Sequence, residues 1–240
     1  MGFNLTVDGA PAVKDAPGSV ASSWKWKIVE GARRSWNGPP LREPVAVSLM
    51  FELPRRSYES TALQNLLKHS IDGLSHVLFN EEAASKRGPW DREDWWVVEF
   101  TASKVSAAAP AVTIAVSAPG EHSQPHANEF MARVNGRPRP WATRGEAEWK
   151  ASIREAVSGE LGSTRFESVG LDLEFSLRPA EMARTDIDNL VVPAVAAIAD
   201  SVVRGTGFPA TRIQHLHASK SGASAHAEEG LTVRGWPIRP

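Results

Sequence analysis

The chain repeats itself. VSLMFELPRRSYESTALQNLLKHSIDGLSHVL, from Val47, lies over LDLEFSLRPAEMARTDIDNLVVPAVAAIADSV, from Leu171, without a gap. Phe51 and Leu53 fall on Phe175 and Leu177, and Asn65 and Leu66 on Asn189 and Leu190, an offset of 124 residues (175 minus 51). An internal repeat constrains a fold more than any single motif, because one arrangement must satisfy both copies. Each copy opens on alternating apolar residues: Val47, Leu49, Phe51 and Leu53, then Leu171, Leu173, Phe175 and Leu177. A period of two predicts a strand with one buried face. Each then passes through a loop into a run with apolar residues three and four apart, which predicts a helix. Pro193 is expected in the first turn of the second helix, where a missing N–H is tolerated.

The match extends outward. Trp24, Ile28 and Glu30 meet Trp149, Ile153 and Glu155, an offset of 125 (149 minus 24). NLTV near the start echoes VTIAV from Val112, each read as a first strand. DWWVVEFTASK and TRIQHLHASK both end in Ala-Ser-Lys, at an offset of 116 (220 minus 104). Each copy therefore reads strand, loop, helix, strand, helix, strand, and EEGLTVRGWPIRP adds one more short strand. The expected fold is α/β (α+β): a unit over 1–105, a linker over 106–110 and a second unit over 111–240. Each unit is a mixed sheet with flanking helices, and the two pack as an intrachain pseudo-twofold pair that copies a C2 dimer.

The 240 residues are 42% apolar and 23% charged, ordinary for a folded protein. With no cysteine, disulfides, zinc–thiolate sites and cysteine nucleophiles are excluded. No run reaches the roughly 18 apolar residues of a membrane span. The start MGFNLTVDGA lacks a basic segment followed by an apolar block, so a cytoplasmic protein without a signal peptide is expected. The formal net charge of −1 provides no global attraction for phosphate.

Chemistry concentrates in RTDIDNL, from Arg184. In an extended or turning segment, Asp186 and Asp188 point the same way. Two converging carboxylates repel, and a hard divalent cation such as magnesium relieves that repulsion. For an isolated pair of acids, capping of the helix start is the better explanation, and the company this pair keeps is what turns the reading toward a metal.

RTDIDNL, the preceding EFSLRP and the upstream RVNGRPRPW…GEAEWKASIREAV together resemble the RusA family of Holliday-junction resolvases. FELPRR…QNLLKHSIDGLSHVLF…WDREDWWVV looks like a degenerate copy of the same module. The resemblance implies a small mixed α/β fold that dimerises. It implies magnesium- or manganese-dependent phosphodiester hydrolysis in branched DNA. It also implies a site made of the paired aspartates, a third aspartate after the helix, and a lysine one turn into the helix.

Neither copy holds the whole set. The second keeps Asp186 and Asp188, but Val192 stands at the lysine position and the third-acid position falls near Ala210. The first has Ala62 and Gln64 at the pair, yet retains Lys68 and, beside Glu93, Asp94. Three readings stay open. In one, the site is composite, with Lys68 or Asp94 reaching across to Asp186 and Asp188. In another, the second unit works alone, with Glu174 as a third metal ligand and His215 or His217 as a base. In the last, catalysis is lost and the chain binds junction DNA, duplex DNA or a protein partner. Arg133, Arg137, Arg139, Arg144 and Lys150, grouped around the proline-stiffened GRPRPWATRG, are the expected phosphate contacts.

Overall fold

The computed structural model describes residues 2–79, 96–120, 129–204, 209–223 and 228–238. It is a mixed α/β structure with one eight-stranded sheet and six helices among the described residues. Strands β1 (Phe3–Asp8), β2 (Val45–Leu53), β3 (Val97–Ser106) and β4 (Ala111–Ser117) come from the first half. Strands β5 (Phe130–Asn135), β6 (Val169–Leu177), β7 (Ile213–Gly222) and β8 (Gly230–Pro237) come from the second. Their order in the sheet is β1-β4-β2-β3-β7-β6-β8-β5. β2 pairs parallel with β3 and antiparallel with β4. β6 pairs parallel with β7 and antiparallel with β8. Both parallel pairs slip register after their first residue, at Val45/Ala46 and Val169/Gly170. β3 and β7 meet antiparallel, Thr101 opposite His217, and make the sheet continuous.

Side chains alternate along a strand, so the register sorts the sheet into two faces. Leu49, Phe51, Phe100, Leu173, Phe175 and Leu216 lie on one face, each at most 1% exposed. The long helices pack there: α1 (Gly18–Ser35), α3 (Gln64–Leu78), α4 (Glu146–Leu161) and α6 (Ile187–Val202). Short helices α2 (Arg55–Ser60) and α5 (Pro179–Met182) precede α3 and α6. Ala21, Trp24, Ile28 and Ala32 recur three and four apart and bury one stripe of α1. That stripe meets α3 at Gly73, where an added Cβ would come within 2.9 Å of both Ile28 Cβ and Lys25 O. The glycine therefore sets how closely α1 approaches α3. No described helix is long and apolar enough to cross a membrane.

Three expectations need correction. The VTIAV run does not open the second half. It is β4, held between β1 and β2 with Phe3 opposite Val116 and Leu49 opposite Ile114. The strand that answers to β1, on the opposite edge of the sheet, is β5. Both runs alternate, and a period of two carries no information about the neighbouring strand. The stretch read as a linker, 106–110, is the turn between β3 and β4, with Ala107 N–H donating to Leu53 O and Gly9 N–H to Pro110 O. Pro193 lies in the second turn of α6, not the first. Its missing N–H leaves the Asn189 carbonyl without its usual helical partner. The Trp141 N–H takes that place, donating to Asn189 O at 2.8 Å.

Candidate functional site

Asp188 stands in the first turn of α6 and is 1% exposed. Neither of its carboxylate oxygens has a well-formed hydrogen bond. Lys68, from the first turns of α3, approaches from the other half of the chain, with Nζ 3.8 Å from Asp188 Oδ2. The same Nζ lies 3.4 Å from Asp72 Oδ1, one turn further along α3. Asp72 Oδ2 meets Lys25 Nζ at 2.6 Å, and His69 Nδ1 stands 3.8 Å away. The close passage of α1 at Gly73 brings Lys25 this far in. The result is a row of alternating charge, Lys25, Asp72, Lys68 and Asp188, running from α1 through α3 to α6.

The two acids respond to this row in opposite ways. Burial is the largest influence on Asp72 and pushes its pKa up, but His69, Lys68 and Lys25 together outweigh it and leave Asp72 below the usual range. Burial also dominates at Asp188. Lys68 opposes it, Asp186 and Asp72 add to it, and the Asn189 amide is the least influence, so the carboxyl is pushed up to about 7. Magnitudes make the outcome reasonable. One ammonium about 4 Å away attracts by roughly 4 kcal/mol at the dielectric typical near a protein surface. Removing a carboxylate from water costs several kcal/mol even after relaxation. A single lysine shared with Asp72 leaves Asp188 under-compensated.

Asp186 is the N-cap residue of α6 but makes no capping bond to the helix backbone. Its Oδ2 accepts from Asn189 Nδ2 at 3.1 Å. Its charge reaches Asp188. Both aspartates and Lys68 are thus brought to one place.

The other expected residues lie elsewhere. Glu174 cannot join the aspartates as a metal ligand. It lies on the sheet face opposite the helices, where Arg234 Nη2 donates to its Oε2 at 3.1 Å. The cause is strand alternation, which sends Glu174 away from the side Phe175 faces. No group of three or more Asp, Glu or His side chains among the described residues could hold a metal ion. Asp94 lies outside the described residues.

His215 and His217 also occupy the far face. His215 packs on Trp236 with ring centroids 5.7 Å apart. His217 Nδ1 is 2.8 Å from Asp172 Oδ1, and Nε2 is 3.3 Å from Glu99 Oε1. Burial alone would lower the His217 pKa, but Asp172 and Glu99 outweigh it and raise it. Held between two carboxylates, this imidazole ties β3 to β6 and β7.

Three of the five cations expected to grip phosphate have local partners. Arg137 pairs with Glu181 at 2.7 Å and Lys150 with Glu146 at 3.6 Å. Arg133, on the edge strand β5, donates to Asn135 Oδ1 at 3.2 Å. Arg139 lies against Gly145, and Arg144 is exposed.

Sequence reasoning missed Asp72 and Lys25, which belong to no motif. It noticed the shared Ala-Ser-Lys without giving it a role. Lys104 Nζ donates to Tyr58 O, Thr61 O and Thr211 O. Lys220 Nζ donates to Thr185 O and Met182 O. Each lysine pins the loop that leads into its half's main helix. Burial first, then Arg212, pushes Lys104 down to about 8.

No family model matches the chain, and neither does any curated protein. Among solved structures it is similar to cyanuric acid hydrolase from A. caulinodans, at 14% identity and a TM-score of 0.27, covering 98% of this chain and 70% of that one. A second, described as a cyanuric acid hydrolase and an evolutionary innovation by structural concatenation, has 12% identity and a TM-score of 0.29, covering 98% and 66%. Likeness at that level transfers no activity to this chain. The comparisons do correct the resemblance drawn from RTDIDNL. With no family model matching the chain, the RusA assignment falls. The junction endonuclease, its DNA-binding alternative and their recombination and repair roles fall with it.

Proposed function

We propose that the junction of α3 and α6 is a general acid–base centre, and that the protein is an enzyme that works through it by proton transfer. Asp188 is the proton carrier. Lys68, with 27% of its side chain exposed, is the cation that meets an anionic or polarised group of the substrate. One observation carries the reading: a buried carboxylate, neither oxygen of which makes a well-formed hydrogen bond, stands 3.8 Å from a lysine. A structural ion pair would saturate those oxygens with donors. A carboxyl near 7 changes charge where a base is most effective at neutral pH. A carbon-13 carboxyl titration of the intact protein tests this. Asp188 should titrate near 7, and a midpoint in the ordinary range near 4 would sink the proposal.

A second reading is favoured by the proximity of Asp186. Two carboxylates at one helix start suit a single magnesium or manganese ion completed by water. Manganese should then broaden the Asn189 and Leu190 amide signals selectively. If millimolar manganese leaves them sharp, this reading is removed.

We also infer that the halves are related by an internal twofold axis between β3 and β7. Mirrored strand order, matched pairing senses, the shared register slip and the paired loop-pinning lysines support it. Co-expressed fragments 1–120 and 121–240 should assemble one-to-one. Fragments that remain apart or aggregate count against two self-contained halves.

A further inference from the structure

We propose that the opposite end of the α3–α6 pair is a binding site for a small amphipathic carboxylate that also bears an N–H or O–H donor. A cavity of about 470 Å³ opens there, lined by Ala62, Gln64, Lys150, Arg154, Ala196 and Ala199 among others. Small-molecule sites span roughly 300–1,000 Å³.

The repeat accounts for the chemistry of the lining. Applying the repeat offsets, Ala62 stands where the other end has Asp186, Gln64 where it has Asp188, and Ala196 where it has Asp72. Lys150 takes the place of Lys25. Two carboxylates of the first end are alanine methyls here, so this end carries shorter, uncharged side chains beside the cavity.

The lining specifies the ligand class. Ala62, Ala196 and Ala199 offer an apolar wall suited to a ring or short chain. Gln64 is 5% exposed, and its Oε1 has no donor. A buried acceptor without a donor is unfavourable, so a ligand N–H or O–H is selected. Lys150 and Arg154 provide positive charge at the rim. Their present partners are loosely held: Glu146 lies 3.6 Å from Lys150, and Asp200 lies 3.6 Å from Arg154. Both pairs are partly exposed and easily exchanged for a ligand carboxylate. This inference does not depend on proton transfer at Asp188, and its readout involves no catalysis.

The test uses indole-3-acetate, which combines an N–H donor, a flat apolar body and a carboxylate, titrated into the full chain and followed by amide NMR. Saturable shifts at Ala196 and Ala199 are expected at millimolar probe. Ala196→Leu, which fills the cavity, should abolish them. Lys150→Gln, a surface-tolerant change, should weaken binding roughly fivefold or more. Naphthalene-1-acetate, which lacks the donor, should bind roughly fivefold more weakly. No saturable shift, unchanged binding to Ala196→Leu or Lys150→Gln, or equal binding of the two probes would each overturn the proposal.

Discussion

The two ends of the α3–α6 pair occupy matching places in the repeat yet hold opposite contents. One is packed with Lys25, Asp72, Lys68 and Asp188. The other has Lys150, Ala196, Val192 and Gln64 at the same positions and borders an open cavity. The same backbone thus supports a dense ionic row and a cavity. What differs is three of those four side chains, not the path of the main chain. The lesson is that the fold does not require the charged row. Asp188 sits in the core against its own solvation preference, and an uncharged residue at Gln64 fills the equivalent place.

That comparison is open to attack at several points. Asp188→Asn should have the largest effect. Asp188 has a raised folded pKa, so the native state retains a proton that the unfolded chain releases above about 4. The wild type therefore loses stability as pH rises from about 4 through 7. Urea unfolding should show the variant more stable at pH 8, by roughly 2–4 kcal/mol, with little difference near pH 4. Equal curves at both values would mean Asp188 is better compensated than its partners suggest. Lys68→Met removes the attraction that opposes burial at Asp188 and one of the cations on Asp72. The Asp188 midpoint should move above about 7, and stability at pH 8 should fall by about 1–2 kcal/mol, since Lys68 is partly exposed.

His217 offers a contrasting window. Its folded pKa is raised, so its contribution is complete below about 6.5 and disappears as pH climbs through the folded value. His217→Gln should cost about 1 kcal/mol at pH 6 and much less at pH 9, read from thermal midpoints. The smallest test concerns the indoles. Trp24 Nε1 donates to Ser70 Oγ at 3.1 Å. Trp149 Nε1 is buried without a partner, and Ala194 occupies the position matching Ser70. Ala194→Ser should therefore stabilise the chain by about 1 kcal/mol. A loss would show that the halves differ in local packing as well as in side chains.

Much of the architecture was legible because a repeat doubles every signal. β2, β6, α3 and α6 follow from two copies of one alternating-then-helical pattern. Asp188 stood out as half of an acid pair, whereas Lys68 was singled out only through what the resemblance implied, and distance alone could show that they meet. Asp72 and Lys25 were hidden because an acid and a lysine on separate helices carry no spacing rule. The place of β4 was misread, and β5 was not recognised, because alternation reveals a face, never a neighbour. The resemblance failed where a five-residue acidic motif was asked to name a family. Acids at a helix start recur in unrelated chains for electrostatic reasons alone.

The bond from Trp141 to Asn189 has a consequence for hydrogen exchange. Trp141 belongs to a connecting segment, whose amides ordinarily exchange during brief local excursions. Its proton, however, substitutes for the one Pro193 cannot supply, inside the second turn of α6. Deuterium should enter Trp141 at the slow pace of that helix, which makes the residue a reporter, placed in a loop, for when α6 itself comes undone.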